Sequence, residues 1–362
     1  MSLVVISFDG VKDTEFEKMA DDAAKYPNIA AFMRDAQYTG NVFTTFVSNT
    51  YPIHSCISTG KHPKEHRLIS NTVGHKDGAE IWAQEAKRIK TKTIFQAAGE
   101  KGLKVGTIAW PVTCGAKIKW NLPEVHLLPG QNRFWQHMRH GSKVFQTQAI
   151  LRHRKKMRGL KQPYLDDFFT STAVDLLRAK KPDMTMIHLL AYDSICHDVG
   201  ICDELDVGRA ALDVNLGRIM EAAGDATIVV FSDHGQLNMH TDIDLASIFG
   251  SSLYHQCGGS AFFTKPIDNI ENYPWFGRFL TDEEMDVSGY ATCAAFGIGA
   301  KVGYCFGVEP HKGNHGYPRD YDDYRVFFAV KNAKHGPHSL PFDDIRNVTA
   351  IINQELKLGM DL

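Results

Sequence analysis

The stretch that most constrains the fold is Ala226 to Gln236, ATIVVFSDHGQ. Five of its first six residues are apolar and three of those are β-branched, with no helical period. A short, nearly continuous apolar run suits a strand buried on both faces of a parallel sheet. The run stops at Ser232-Asp233-His234-Gly235. An acid beside an imidazole, followed by glycine, continues a strand poorly and offers two good metal ligands. Ligand sites of open α/β sheets lie at the carboxyl ends of strands. Two other buried runs end the same way: Leu3–Phe8 runs into Asp9-Gly10, and Pro182–Tyr192 into Asp193. His197 follows Asp193 by four residues, which puts both on one face of a helical turn.

Between these runs the chain alternates. Helical patterns cover 14–38, interrupted at Pro27-Asn28, then 91–102 and Leu205–Gly224; Leu103–Ala109 and Tyr324–Val330 read as further strands, and 341–357 as a last helix. Such βα alternation predicts an α/β fold with a central, mostly parallel sheet flanked by helices. Residues 237–312 break the pattern with glycine-rich and aromatic pieces, expected to form short strands of a small inserted cap region. No repeat, low-complexity tract or linker divides the chain, so one domain over 1–362 is expected.

Composition excludes several classes. The apolar fraction of 43% and charged fraction of 23% are those of a globular protein, and a net charge of -2 does not favour nucleic acid or a membrane surface. No apolar run reaches the roughly 18 residues of a membrane span. MSLVVISFDG carries no charged n-region and too short an apolar run for a signal peptide. The seven cysteines are scattered, odd in number and without a CxxC pair, which predicts reduced thiols and a cytoplasmic protein. In that compartment the sequon Asn347-Val348-Thr349 has no weight. From Val125 to Leu165 there are nine Lys or Arg and no acid, with Phe134, Trp135 and Phe145 interleaved. This reads as a solvated helical face or a basic rim rather than a nucleic-acid patch.

Three strand ends thus supply Asp9, Asp193 and Asp233, and handed βαβ crossovers bring them to one edge. His197 and His234 adjoin that edge, and His315, in the loop GNHGYP, can reach it. Three carboxylates and three imidazoles suit Zn²⁺, with Mn²⁺ as the alternative. Six ligands exceed one tetrahedral ion, whereas two ions roughly 4 Å apart form a phosphoryl-transfer clamp. Thr50, followed by Tyr51 and Pro52, falls at a helix start, where it serves as a cap or as the nucleophile of such a clamp. His54, His62 and His66 have no strand-end carboxylate beside them and read as surface residues.

Taken together these segments resemble the nucleotide pyrophosphatase/phosphodiesterase branch of the alkaline phosphatase superfamily. Its pattern stands here as Phe8-Asp9-Gly10, Thr50-Tyr51-Pro52-Ile53-His54, Asn71, Asp193 with His197, Ser232-Asp233-His234-Gly235 and His315-Gly316-Tyr317, in the family's order. The resemblance implies an alkaline-phosphatase-like fold and a two-zinc hydrolase of phosphodiester or pyrophosphate bonds in a nucleotide or a related small diester. One zinc would be held by Asp193, His197 and His315. The other would be held by Asp9, Asp233 and His234 and would activate Thr50, which becomes a phosphothreonine. Asn71 and the Thr50 N–H would hold a non-bridging oxygen. Tyr51, Asn71 and His188 are the expected substrate contacts. Two departures are that Ile53 replaces the motif's Asn, and His188 replaces an aromatic that, with the one kept as Tyr51, sandwiches a nucleobase in the family. The expected partner is a small anionic phosphoester. The rival readings are a phosphonoacetate-hydrolase-like C–P hydrolase, a phosphomutase, and a nucleic-acid binder using 133–161.

Overall fold

Seven strands form the central sheet: β1 (Leu3–Phe8), β2 (Ala36–Val42), β3 (Val105–Ile108), β4 (Trp120–Leu122), β5 (Met184–Leu189), β6 (Thr227–Ser232) and β7 (Val326–Lys331). Their order in space is β2-β7-β6-β1-β5-β3-β4. Every pairing is parallel except those of β7, which runs against both β6 and β2. The structure, a computed structural model, describes residues 2–308, 310–334 and 343–362.

Eight helices matter for the layers: α1 (Asp13–Asp21), α2 (Pro27–Asp35), α3 (Thr50–Thr59), α4 (Ile94–Glu100), α5 (Tyr164–Lys180), α6 (Ala191–Val199), α7 (Asp206–Ala223) and α8 (Asn347–Glu355). Strand alternation sorts them. Val4, Ile6 and Phe8 of β1 pack with Phe16, Ile29, Phe168, Tyr192 and Leu212, so α1, α2 and α5–α7 cover one face. Leu3 and Val5 pack with Ile53, Ile94 and Ile351, so α3, α4 and α8 cover the other. β1, β5 and β6 are buried at every residue, as their unbroken apolar runs predict.

The sequence reading and the structure part company at three places. The helix expected over 14–38 is α1, α2 and the start of β2. AQYTGNV is too polar to read as a buried strand because it is half-exposed and pairs only with β7. The strand expected to reach Tyr192 stops at Leu189, and Asp193 lies in the first turn of α6 rather than at a strand end. A buried carboxylate fixes that turn: Asp166 Oδ2 of α5 accepts the Ala191 N–H at 2.8 Å. The helix expected over 341–357 is α8; positions 341 and 342 lie outside the described residues.

Within 237–312, the strands Leu253–Cys257, Ser260–Phe263, Phe296–Ala300 and Phe276–Phe279 form an antiparallel sheet in that order. It has its own apolar cluster, including Phe263, Trp275 and Ile298. Gly313–Asn314 pairs with Leu237–Asn238, returning the chain to the edge where β6 ends. Among the described residues no helix is long and apolar enough to cross a membrane.

Asp166, which fixes the turn leading to Asp193, gives a stability test. Burial pushes its carboxyl up to about 6. Between roughly pH 4 and 6 the folded chain holds a proton that the unfolded chain has released, so this group's contribution falls as pH rises, by about 3 kcal/mol in all. Melting curves should show Asp166→Asn losing less stability than the wild type across that window; parallel curves would contradict the assignment.

Candidate metal centre

Strand register sets the site. Phe8 pairs with Ser232 on one side and with Leu189 on the other, so Asp9, Asp233 and the start of α6 leave the sheet at one level. Gly10 has φ +76, which glycine adopts without strain, and a Cβ there would lie 3.0 Å from Asp193 Oδ1. Its N–H donates to Asp233 Oδ1 at 3.2 Å, and the Val11 N–H donates to Ser232 Oγ at 2.9 Å. The β1 and β6 ends are thereby tied together.

Two groups of side chains converge here. Asp193, His197 and His315 have ligand atoms within 4.8 Å of one another, and so do Asp9, Asp233 and His234. In the first group His197 Nε2 lies 3.4 Å from Asp193 Oδ2, and His315 Nε2 lies 4.0 Å from Asp193 Oδ1. In the second, His234 Nε2 lies 3.3 Å from Asp9 Oδ1 and 3.4 Å from Asp233 Oδ2. The groups adjoin: the His234 and His315 rings stack with centroids 3.9 Å apart.

The far nitrogens of the three imidazoles are all occupied. His197 Nδ1 lies 2.8 Å from Gly313 O, and His234 Nδ1 lies 3.3 Å from Gly235 O. His315 Nδ1 lies 3.2 Å from Ser48 O and 3.0 Å from Asn49 Oδ1. Carbonyl acceptors at Nδ1 fix the tautomer that leaves Nε2 free as a ligand, the usual support of a metal-binding histidine.

The charges fit a cation. Burial pushes the Asp9 carboxyl well above its ordinary range, and Asp233 and Asp193 push the same way. Burial also raises Asp233. Burial holds His315 well below the usual imidazole range, keeping it neutral as a ligand must be. Burial would raise Asp193 too, but His197 and His315 outweigh it and draw the carboxyl down. Asp9 Oδ1 and Asp233 Oδ2 are buried and accept no hydrogen bond among the described residues. Buried carboxylate oxygens of this kind call for a positive partner. Three carboxylates and three imidazoles without a thiolate fit divalent zinc or manganese.

Thr50 is the first residue of α3 and is 8% exposed, with Oγ1 3.3 Å from His234 Nε2. Asn71 Oδ1 accepts the Tyr51 N–H at 2.8 Å, which turns its amide nitrogen away from α3's own backbone. Tyr51 and His188, expected to touch substrate, are fully buried and present no surface. The Tyr51 ring sits edge-on to Trp82, and His188 Nε2 lies 2.9 Å from Asp9 Oδ2. Their places in the first turn of α3 and inside β5 turn both rings into the protein.

Sequence reasoning missed several supporting residues. His54 and His66, read as surface residues, are fully buried. His54 Nδ1 lies 2.8 Å from Thr50 O and Nε2 lies 3.0 Å from Ser7 Oγ, so it anchors the first turn of α3 to β1. Its ligand distance to Asp233 and His188 makes a third group of three. Its two ring nitrogens serve that anchor, and Asp233 is assigned to the group with Asp9 and His234. Gln236 donates to Asp193 Oδ1, and its place in the quoted SDHGQ run was the available signal. Asn49 and Glu124 carried no signal in the sequence.

Comparison with known proteins places this geometry. Over 115 residues the chain is 24% identical to the bis(5'-adenosyl)-triphosphatase enpp4 of Xenopus laevis, covering 30% of this chain and 24% of that protein. This match spans about a quarter of the frog protein's length. Murine ectonucleotide pyrophosphatase / phosphodiesterase 5, solved as an inactive threonine-to-alanine variant with AMP, superposes with a TM-score of 0.67 at 16% identity, covering 100% of this chain and 96% of that one. Phosphonoacetate hydrolase from Sinorhizobium meliloti 1021, solved with phosphonoformate, gives 0.66 at 16% identity, covering 98% and 96%. At such identity these two likenesses establish the fold, an α/β architecture around a mostly parallel sheet. The family model for type I phosphodiesterase / nucleotide pyrophosphatase matches residues 3–317. A match running from the first residue of β1 to just past His315 takes in the whole edge described above, and the chain belongs to the type I phosphodiesterase / nucleotide pyrophosphatase family.

Proposed function

We propose that the chain hydrolyses small phosphodiesters or pyrophosphates with two divalent cations, zinc by its donor set, and a phosphothreonine on Thr50. The observation that carries this reading is the pairing of two adjoining ligand groups with the Thr50 hydroxyl 3.3 Å from His234 Nε2. Asp193, His197 and His315 would hold one cation, and Asp9, Asp233 and His234 the other. When bound, such cations neutralise phosphoryl oxygens and lower the pKa of a nearby hydroxyl. The inactive threonine-to-alanine variant of the murine relative supports a threonine in this role.

The chain's own residues do the rest. Thr50 Oγ1, having released its proton, forms the bond to phosphorus, and the leaving oxygen departs in line with the bonding electron pair. Water then cleaves the Thr50–phosphorus ester and restores the hydroxyl. Thr50 lies at a helix start, where amide N–H groups lack helical partners and the dipole favours an anion. Asn71 Nδ2 would donate to a non-bridging oxygen while Oδ1 stays on the Tyr51 N–H. Asn71→Ala should lower kcat by about 10²–10³, with a smaller change in KM. An unchanged kcat would remove Asn71 from the anion-binding role.

Tyr51 and His188 are buried, so neither offers an exposed face for stacking a nucleobase. That favours a non-nucleotide diester over a nucleotide, and keeps a phosphonate C–P hydrolase as the second reading. Turnover of a nucleotide diester, a simple alkyl aryl diester and phosphonoacetate, compared side by side with added Zn²⁺, separates the three. Free thiols at all seven cysteines support a reducing, cytoplasmic setting.

A further inference from the structure

A cavity of about 540 Å³ lies at the carboxyl edge, over the ends of β4 and β5. That volume falls among small-molecule sites. Twelve of its sixteen lining residues are apolar, including Leu127, Phe134, Met157, Phe168 and Leu190. Its outer wall comes from the basic segment, through the helices Arg133–His140 and Lys143–His153 and the turns after them. Two residues bring it close to the metal centre. Leu190 links β5 to α6, three residues before Asp193. His126 lines the cavity, its ring centroid 6.1 Å from that of Tyr51, the neighbour of Thr50 in α3. An apolar group attached to a phosphate held at the metal centre would find mostly apolar walls there.

We propose that this cavity binds the neutral, apolar organic group of the substrate, an alkyl or aryl substituent, while the phosphoryl group sits between the two ligand groups. The proposal rests on the phosphoester reading above and names its substrate class. Protein supplied with Zn²⁺ is titrated calorimetrically with methyl-, butyl- and octylphosphonate. Turnover of the methyl and octyl esters of p-nitrophenyl phosphate is followed in parallel. Affinity should rise by up to about fourfold per methylene until the cavity is filled. Met157→Trp fills the cavity from its outer wall, away from every proposed ligand. It should keep methylphosphonate binding and flatten the chain-length series. Leu127→Trp, at another lining position, serves if Met157→Trp fails to fold. A flat series in the wild type, or an unchanged slope in a folded filling variant, overturns the proposal. A steep series without turnover of either ester upholds the cavity and counts against the phosphoester reading instead.

Discussion

Asp233→Ala should retain about one divalent cation per chain in place of two and lose at least about three orders of magnitude in kcat/KM. Several kcal/mol of transition-state charge stabilisation depend on an intact clamp, and each 1.36 kcal/mol is about tenfold in rate. Asp233 is the pivot of its group: Oδ2 lies 3.4 Å from His234 Nε2 and 3.5 Å from His54 Nδ1, and Oδ1 accepts the Gly10 N–H. Its removal leaves Asp9 and His234 as the remaining pair. The backbone anchor survives, because Thr44 Oγ1 donates to the Asp233 carbonyl at 2.6 Å whatever the side chain. The variant should therefore fold, and metal analysis of the folded protein reads the ligand assignment directly. Two cations per chain in this variant would contradict it.

Thr50→Ala should behave differently. Both cations should remain, while turnover falls by about 10³ or more, because without a hydroxyl no Thr50–phosphorus bond forms. The structural cost is small. Thr50 Oγ1 makes its contact with His234, and the first position of α3 accepts alanine. Thr50→Ser restores a hydroxyl and should recover measurable turnover, which a purely steric role would not require. Rapid acid quench and intact-mass measurement should find a phosphoryl adduct on the wild type and the serine variant alone. Wild-type turnover by Thr50→Ala would remove Thr50 from the chemistry.

Much of this edge was legible in the residues because parallel strands constrain where their ends can go. LVVISF and TIVVFS are apolar enough to be placed in the middle of a sheet, so that Asp9 and Asp233 leave it at one edge; that the two strands pair directly is what the structure adds. His197 followed from helical spacing, although Asp193 reached the site from α6 rather than from a strand end. What stayed hidden depends on packing across long separations. His54 looked like one of three exposed histidines, yet it is buried between Thr50 and Ser7. Nothing local to Tyr51 shows that its ring turns inward, whereas His188 lies within the run Pro182–Tyr192 already read as buried. β2 escaped notice because an edge strand does not need an apolar sequence, and Asp166 because its partner lies across the α5–α6 contact.

The most direct measurement is turnover of bis-p-nitrophenyl phosphate against p-nitrophenyl phosphate, after chelation and again with Zn²⁺ restored. A two-cation diesterase should lose activity on chelation, recover it with Zn²⁺ and prefer the diester. Turnover that survives chelation, or a preference for the monoester, would contradict the account.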